Sequence, residues 1–358
     1  GPERDQTETK QRAKRDQKSG GVPCTGTIHR QPNRLMPMNA PPPRRVFLSS
    51  VVDRSMARGD LAKHLKRELA GEVHFDAFSR ARYATDASIY QIRPIGVVVP
   101  QTEEDLTTVV DIAREHQVPI VTRGAGTSQC GQTVGAGLVV DCSKFLRNVI
   151  NLETETARVE VQPGITLDAL NARLRPHGLW YPIDISTSAQ ATLGGMAGNN
   201  SCGSRSLAYG NMVHHVLGID AILADGTHQF FGEFERGDGR PGAMQIGSQR
   251  ARELITRLYE IGHGAQDAMQ RHWPRILRRV GGYNLDILAT LNKQPSIAER
   301  PYWTHIAEPG SLNFAQLLVG SEGTLAVSRR LHLHLSPLPQ ARVLGVVNFP
   351  SFQQAMQC

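Results

Sequence analysis

The stretch RGAGTSQCGQ, Arg123 to Gln132, decides how this sequence is read. Gly124, Gly126 and Gly131 let the backbone approach a neighbour closely, Thr127 and Ser128 add hydroxyls, and Arg123 adds a fixed charge. Such a run is either a tight turn or a nest of N–H groups around an anion. It is not a P-loop, because no Gly-Lys-Ser/Thr follows. A nicotinamide fingerprint would follow the first strand of its unit and open an amphipathic helix. Here TVGAGLVVD leads from the loop into a further strand.

Upstream, Gly96 to Val99 is an apolar, β-branched run and reads as a buried strand ended by Pro100. Thr102 is a candidate N-cap, with Glu103, Glu104 and Asp105 at the positive end of the helix dipole. Leu106, Val109, Val110 and Ala113 fall on one helical face. Val118-Pro119 stops that helix and Ile120-Val121 starts a second strand, so a βαβ unit runs directly into the glycine loop. Before this unit, order is expected from near Val46, with a short amphipathic helix over Leu61 to Leu69.

Downstream, Leu138 to Val140 reads as a third strand, and Asn148 to Val161 as an antiparallel pair turning at Glu153 to Thr156. Pro163-Gly164 is a turn. Thr166 caps a helix carrying Leu167, Leu170 and Leu174 that ends at Gly178. Ala191 to Gly210 is a second, long glycine- and asparagine-rich segment. Val216 to Gly226 alternates as a strand and closes on the hairpin signal Asp225-Gly226. Arg236 to Gln249 reads as loop, Ala251 to Gly262 and Met269 to Val280 as helices, and Leu317 to Val327 as strand–turn–strand. Arg342 to Gln357 reads as another strand and helix, cut short at Cys358.

Composition narrows the class. The chain has 358 residues, 40% hydrophobic and 20% charged, and no apolar run long enough to span a membrane. Its five cysteines form no CxxC pair, so they read as reduced thiols without a metal or iron–sulfur framework. The formal charge of +7 suggests nucleic acid, but residues 1–45 hold ten Lys or Arg against four Asp or Glu and account for nearly all of it. That segment is expected to be a disordered basic tail, or sequence upstream of a start at Met36 or Met38. No nucleic-acid partner is expected.

One glycine loop is a turn as readily as a cradle. Two of them, with the tight turn SEGT at Ser321 to Thr324, suggest one long ligand held at both ends. RGAGTSQCGQ, VEVQPGITLDALN, PIDISTSAQATLGGMAGNN, LAYGNMVHHVLGIDAILADG, GGYNLD and LLVGSEGTLAV, in this order and spacing, closely resemble the FAD-linked oxidases of the vanillyl-alcohol-oxidase type. The match is to the glycolate oxidase, D-lactate dehydrogenase and D-2-hydroxyglutarate dehydrogenase branch, and covers roughly Arg80 to Pro339. GTSQCGQT is most similar to the large fused flavin–iron-sulfur members.

The resemblance implies an α+β fold: a PCMH-type FAD-binding domain of two α/β subdomains, followed by the start of a ferredoxin-like cap domain. The expected divisions are a pyrophosphate subdomain over 46–140, a second FAD subdomain over 141–232, a helical insertion over 233–310, returning strands over 311–339 and a truncated cap over 340–358. It implies that Arg123, Gly124, Ala125, Gly126, Thr127, Ser128 and Gln132 wrap the FAD pyrophosphate. Thr192, Gly194, Gly195, Ala197, Asn199, Ser201 and Gly203 would run along the flavin and ribityl, Pro163 and Gly164 would turn near the isoalloxazine, and the Ile219 backbone would meet the adenine. Thr127 stands where relatives with covalent flavin carry a histidine, so non-covalent FAD is expected.

The implied reaction is hydride transfer from a D-2-hydroxy acid, foremost D-2-hydroxyglutarate and otherwise D-lactate or glycolate, to flavin N5. The substrate arginines, a histidine/carboxylate metal site and the iron–sulfur cluster of the relatives fall beyond this chain, so no metal ligand is expected in it. Tyr283 and Asn284 of GGYNLD are catalytic candidates, with packing as the alternative. His332 and His334 have ligand spacing on a strand, yet Leu331, Leu333 and Leu335 are expected to face the core and the histidines water. His214 and His215 would point apart on a strand, and Arg271 to Arg279 is a basic, partly helical patch. The partners expected are the 2-hydroxy acid, an unassigned electron acceptor and, as an open option, further copies of the chain. The location expected is the cytoplasm or the inner face of a membrane. A flavin-holding module without turnover is the alternative for the stretch given; a nicotinamide-using reductase of the same fold is a further rival.

Overall fold

A computed structural model describes residues 51–237, 240–241, 248–274, 276, 279–288, 311–341 and 343–358. The basic tail, the onset near Val46 and most of the 236–249 loop lie outside these residues.

The first sheet has the order β1 (Glu72–His74), β2 (Gly96–Val99), β4 (Leu138–Asp141), β3 (Ile120–Arg123). Strands β2, β4 and β3 run parallel and β1 is antiparallel to β2. A parallel strand between layers is covered on both faces, which is why GVVV and LVVD are buried throughout. One face packs on α1 (Val51–Glu68) and the crossover helix α3 (Glu103–Glu115), through Leu61, Leu65, Leu106 and Val110. The other face rests on Tyr83, following α2 (Ala77–Arg82), and on Phe145. The Thr102 side chain accepts from Asp105 N while the Asp105 carboxylate accepts from the Thr102 backbone, a capping box that sets where α3 begins.

The second sheet is antiparallel, ordered β5 (Val149–Glu153), β6 (Arg158–Val161), β13 (Val327–His334), β8 (Val216–Ile222), β9 (His228–Phe231). Its inner face carries Val159, Val161, Ile219, Leu331 and Leu333 onto α4 (Leu167–Leu174), Tyr181, α5 (Leu193–Asn199) and Phe314. The Thr166 cap and the left-handed Gly178 lie where the sequence places them. Between these elements stand β7 (Leu179–Trp180), which pairs with β14 (Ser336–Pro337), and α6 (Ser206–Tyr209). Strand β10 (Glu233–Gly237) pairs with β11 (Arg240–Pro241) and β12 (Ser311–Asn313), beside α7 (Gln249–Gly264) and α8 (Gln266–His272). The chain proceeds through α9 (Ala315–Leu318) to β13 and β14 and ends on α10 (Phe352–Gln357).

Ion pairs tie helix α3 to the second sheet. Glu103, at the start of α3, accepts from Arg330 of β13 at 2.8 Å, and Arg330 reaches Glu160 of β6 at 2.7 Å. Glu103 also accepts from Gln162 at 3.0 Å.

Several local readings are corrected. The helix expected over Leu61 to Leu69 starts at Val51, because the exposed Arg58 and Asp60 do not stop a helix whose Leu61 and Leu65 pack. The segment Ala191 to Gly210, to which the sequence assigned no element, contains α5 and α6, where tertiary burial of Leu193 and Met196 overrides its glycines. The helix read over Met269 to Val280 ends at His272, with Trp273 extended ahead of Pro274. Leu317-Leu318 is a helical turn rather than a strand. Strand β10 extends to Gly237, into the expected loop. No strand forms among the described residues of 342–349, whose Val343, Leu344, Val346 and Val347 are exposed.

Candidate functional site

Strand β3 delivers Arg123 to the glycine loop, and the loop is shaped from beneath. The Arg123 guanidinium donates to Thr85 O at 2.9 Å and Thr133 O at 3.3 Å, and lies 5.2 Å from the Tyr83 ring centroid. Burial lowers its pKa, opposed by Asp141, Tyr83 and Asp86. Tyr83 in turn donates to Asp141 at 2.6 Å, and burial together with that carboxylate pushes its phenol far up. Gly126 has φ +70°, and a side chain there would enter the guanidinium. Ala87 N donates to Gly126 O at 3.2 Å, and Thr133 donates to Asp86 at 3.0 Å. Arg123, read from the sequence as a fixed charge in the loop, therefore spends these donors on the backbone and holds the loop's shape.

Three segments close on one cleft of about 390 Å³, in the range of small-molecule sites. From the first come Arg123, Gly124, Ala125, Gly126, Thr127, Ser128 and Gln132. The second supplies Thr192, Gly194, Gly195, Asn199 and Ser201, with Pro163 beside them. Ser321, Glu322 and Gly323 form the third. Contacts weld these segments together. A Cβ on Gly124 would overlap the Thr192 hydroxyl, one on Gly194 would press on Pro163, and one on Gly323 would overlap the Thr122 hydroxyl. Thr192 Oγ1 accepts from Gly195 N at 3.3 Å and caps α5, while Gly320 N and Glu322 N donate to the carbonyls of Ala197 and Gly198, both at 2.9 Å.

Not every expected residue reaches the cleft. Gly164 packs on the Cys142 and Leu146 carbonyls, and Gly203 on the Asp184 main chain. Ala197 and Ile219 are buried in the hydrophobic core. Their smallness and apolarity serve packing, and none of the four lines the cleft. Asn284 is buried, its amide donating to Gln316 O at 3.0 Å and Val319 O at 2.8 Å. The Tyr283 hydroxyl lies 2.8 Å from Thr324 Oγ1, beside the third segment but outside the lining. Sequence reasoning missed Ser186, Thr187, Cys130, Cys202 and the lining role of Glu322. The hydroxyl-rich ISTS run before the second glycine segment was the available signal for the first two.

The histidines are placed away from the cleft. Leu331, Leu333 and Leu335 are buried as expected, but His332 is half-buried instead of facing water. Its Nε2 lies 3.5 Å from Asp220 Oδ2, and the Phe230 ring meets it edge-on. Glu160, Asp220 and His332 bring ligand-type atoms within 4.8 Å of one another, yet Arg330 already engages Glu160. His334 is also half-buried, its ring 6.3 Å from that of His215. His214 and His215 occupy a 3-10 turn and its end, not a strand. His214 Nδ1 accepts from Asn211 N at 2.9 Å, and buried His215 sits 2.6 Å from Tyr209 O. In the basic patch, Arg279 pairs with Asp286 at 2.8 Å and stacks on Trp273; Arg275 and Arg278 lie outside the described residues.

Among the described residues lining the cleft, Arg123 and Glu322 are the charged ones, and none is a histidine. The cleft is thus lined by hydroxyls and amides around close-approach glycines, with Ile185, Met196, Leu318 and Val327 supplying an apolar part. That donor set suits a phosphate-bearing, hydroxyl-rich ligand such as a dinucleotide.

Residues 94–232 match the family model described as an FAD binding domain. The chain is 31% identical over 295 residues to the D-2-hydroxyglutarate dehydrogenase of Pseudomonas putida, covering 80% of this chain and 27% of that protein. It is 37% identical over 175 residues to the glycolate oxidase subunit GlcD of Bacillus subtilis, covering 46% of this chain and 37% of the relative. Among solved structures, alkyldihydroxyacetonephosphate synthase shares the fold at a TM-score of 0.52 and 16% identity, over 79% of this chain and 44% of that one. The chain spans about 27% of the length of the first curated relatives it matches.

Proposed function

Because this chain belongs to the FAD-linked oxidases through its FAD binding domain, we propose that it is the flavin-holding part of a 2-hydroxy acid dehydrogenase. The substrate class is a D-2-hydroxy acid, with D-2-hydroxyglutarate first, and the site of action is cytoplasmic. When bound, FAD supplies the acceptor for the hydride that leaves the substrate carbon. The chain's own residues do the holding. Gly124 and Gly126 bring the backbone against the ligand, and Arg123 fixes their conformation from behind. Thr127, Ser128, Ser186 and Thr187 offer hydroxyls, and the Thr192-capped segment forms the facing wall.

The observation that carries this reading is the convergence of all three glycine segments on one cleft. The preference for D-2-hydroxyglutarate rests on the names of the relatives. Thr127 stands where relatives with covalent flavin carry a histidine, which supports non-covalent FAD. No helix among the described residues is long and apolar enough to cross a membrane.

A second reading is favoured by a specific feature. Arg123 is the one cationic lining residue among those described, and it is committed to backbone carbonyls. Among the described lining residues no other cation stands ready for a substrate carboxylate. This stretch alone would then hold FAD without turnover, the acid being gripped by residues beyond it.

The deciding experiment is the visible spectrum of the purified protein before and after denaturation. A flavin spectrum released into the supernatant supports non-covalent FAD, and bleaching by anaerobic D-2-hydroxyglutarate supports turnover. A folded, colourless protein that takes up no added FAD would sink both readings.

A further inference from the structure

Glu322 is an unusual residue for the wall of a site that takes a diphosphate. It occupies the left-handed region at φ +52°, where glycine is favoured, and its neighbour Gly323 has φ +72°. A non-glycine residue held there carries backbone strain, a common feature of functional positions. The turn is held on two sides, by Glu322 N on Gly198 O and by Gly323 against Thr122. Its half-buried side chain lines the cleft.

The surroundings specify what that carboxyl meets. Cys130 N, which can only donate, lies 3.1 Å from Gln132 Oε1. The Gln132 amide is thereby oriented, and its NH₂ group donates to Glu322 Oε1 at 3.5 Å. Glu322 Oε2 has no hydrogen-bond partner among the described residues. Helix α5, packed against the turn, has no ionisable side chain. From the glycine loop the ionisable groups are the Cys130 thiol and Arg123, and the latter is turned to Thr85 and Thr133. Tyr283, on the other side of the turn, is engaged by Thr324. Burial raises the Glu322 pKa, and the Gln132 hydrogen bond only partly opposes it.

We propose that Glu322 binds the flavin dinucleotide as a neutral carboxylic acid, Oε1 accepting from Gln132 and Oε2–H donating to an acceptor oxygen of the ligand. An ionised carboxylate in this cleft would face a diphosphate with no cation between them, whereas the acid turns repulsion into a donor. Cofactor binding is then coupled to uptake of one proton. This inference rests on the FAD reading above.

The test is FAD binding to the full chain from pH 5.5 to 8.5, by flavin fluorescence and by calorimetry in two buffers of different ionisation enthalpy. The wild type should weaken with pH by up to about tenfold per unit above the free-state carboxyl pKa, with buffer-dependent heat corresponding to proton uptake. Glu322→Gln should bind at every pH without proton uptake, and at pH 8.5 more tightly than the wild type. Glu322→Gly, which relieves the left-handed strain, should be at least as stable as the wild type and also show no proton linkage. Wild-type binding with buffer-independent heat would overturn this proposal and leave the FAD reading intact. So would a proton uptake that persists in Glu322→Gln. A folded wild type that binds no FAD would overturn both.

Discussion

Gly124 packs directly against Thr192, leaving no room for a methyl group between the first glycine loop and the cap of the second. The two segments are far apart in sequence, one following β3 of the first sheet and the other opening helix α5 in the core of the second, so this contact is where the cleft is assembled.

Gly124→Ala should therefore force the segments apart. Overpacking of this kind costs about 1–3 kcal/mol, and the loss of flavin should exceed the loss of stability. The thermal midpoint and the flavin-to-protein ratio would check this. Gly264→Ala, where the added methyl meets open space, is the control and should keep full flavin. Normal flavin in Gly124→Ala would show that the contact does not shape the site.

The ion pairs centred on Arg330 should be structural. Glu103 and Glu160 have side chains only 10% and 18% exposed, so removing their shared partner leaves buried charge. Arg330→Met should lower unfolding free energy in urea by about 2–4 kcal/mol. The double variant with Glu103→Gln should recover part of that loss, because the two changes share one contact. Strict additivity would mean the pair is not coupled.

Acid should weaken the protein partly through Asp220. The hydrogen bond with His332 is the main cause holding its pKa below the ordinary carboxylate value, with Arg329 and Arg330 adding to it against burial. The folded value is thus depressed, so this stabilisation is present above the unfolded value of about 4 and is lost as pH falls through the folded one. Urea midpoints measured from pH 7 to 3 should decline less steeply for Asp220→Asn. Parallel curves would remove Asp220 from the account.

The thiols should divide by environment. Burial pushes the Cys142 thiol up to about 12, and with the thiolate suppressed it should resist alkylation until the protein unfolds. Exposed Cys130 should label in the native state, and more slowly with FAD present, because it lines the cleft. Labelling of Cys142 at the rate of Cys130 would contradict the burial; an FAD-independent rate at Cys130 would argue against its place beside the ligand.

Much of the fold was legible because its signals are local. The buried run at Gly96 to Val99, the N-cap at Thr102, and the alternation ending in Leu331, Leu333 and Leu335 each depend on neighbours within a few residues. Two of the misses share one cause. Leu193 to Asn199 and Leu317-Leu318 are helical despite weak or contrary local preference, and they bury Leu193, Met196, Leu317 and Leu318 in the core. The site was legible as glycines and hydroxyls at turns. Which of them face a ligand was not, since Gly164 and Gly124 look alike in sequence while one abuts a carbonyl of its own core and the other the wall of the cleft.

By itself, then, the sequence determined the succession of strands and helices, the three glycine segments and the family they resemble, because periodicity, capping and turn chemistry are written in short stretches of chain. Tertiary structure alone decided that Arg123 turns to Thr85 and Thr133, that Glu322 looks into the cleft beside Gln132, and that Ile219 and Ala197 belong to the core. These are matters of which distant groups compete for the same hydrogen bond or the same space, and such competition exists only once the chain has closed on itself.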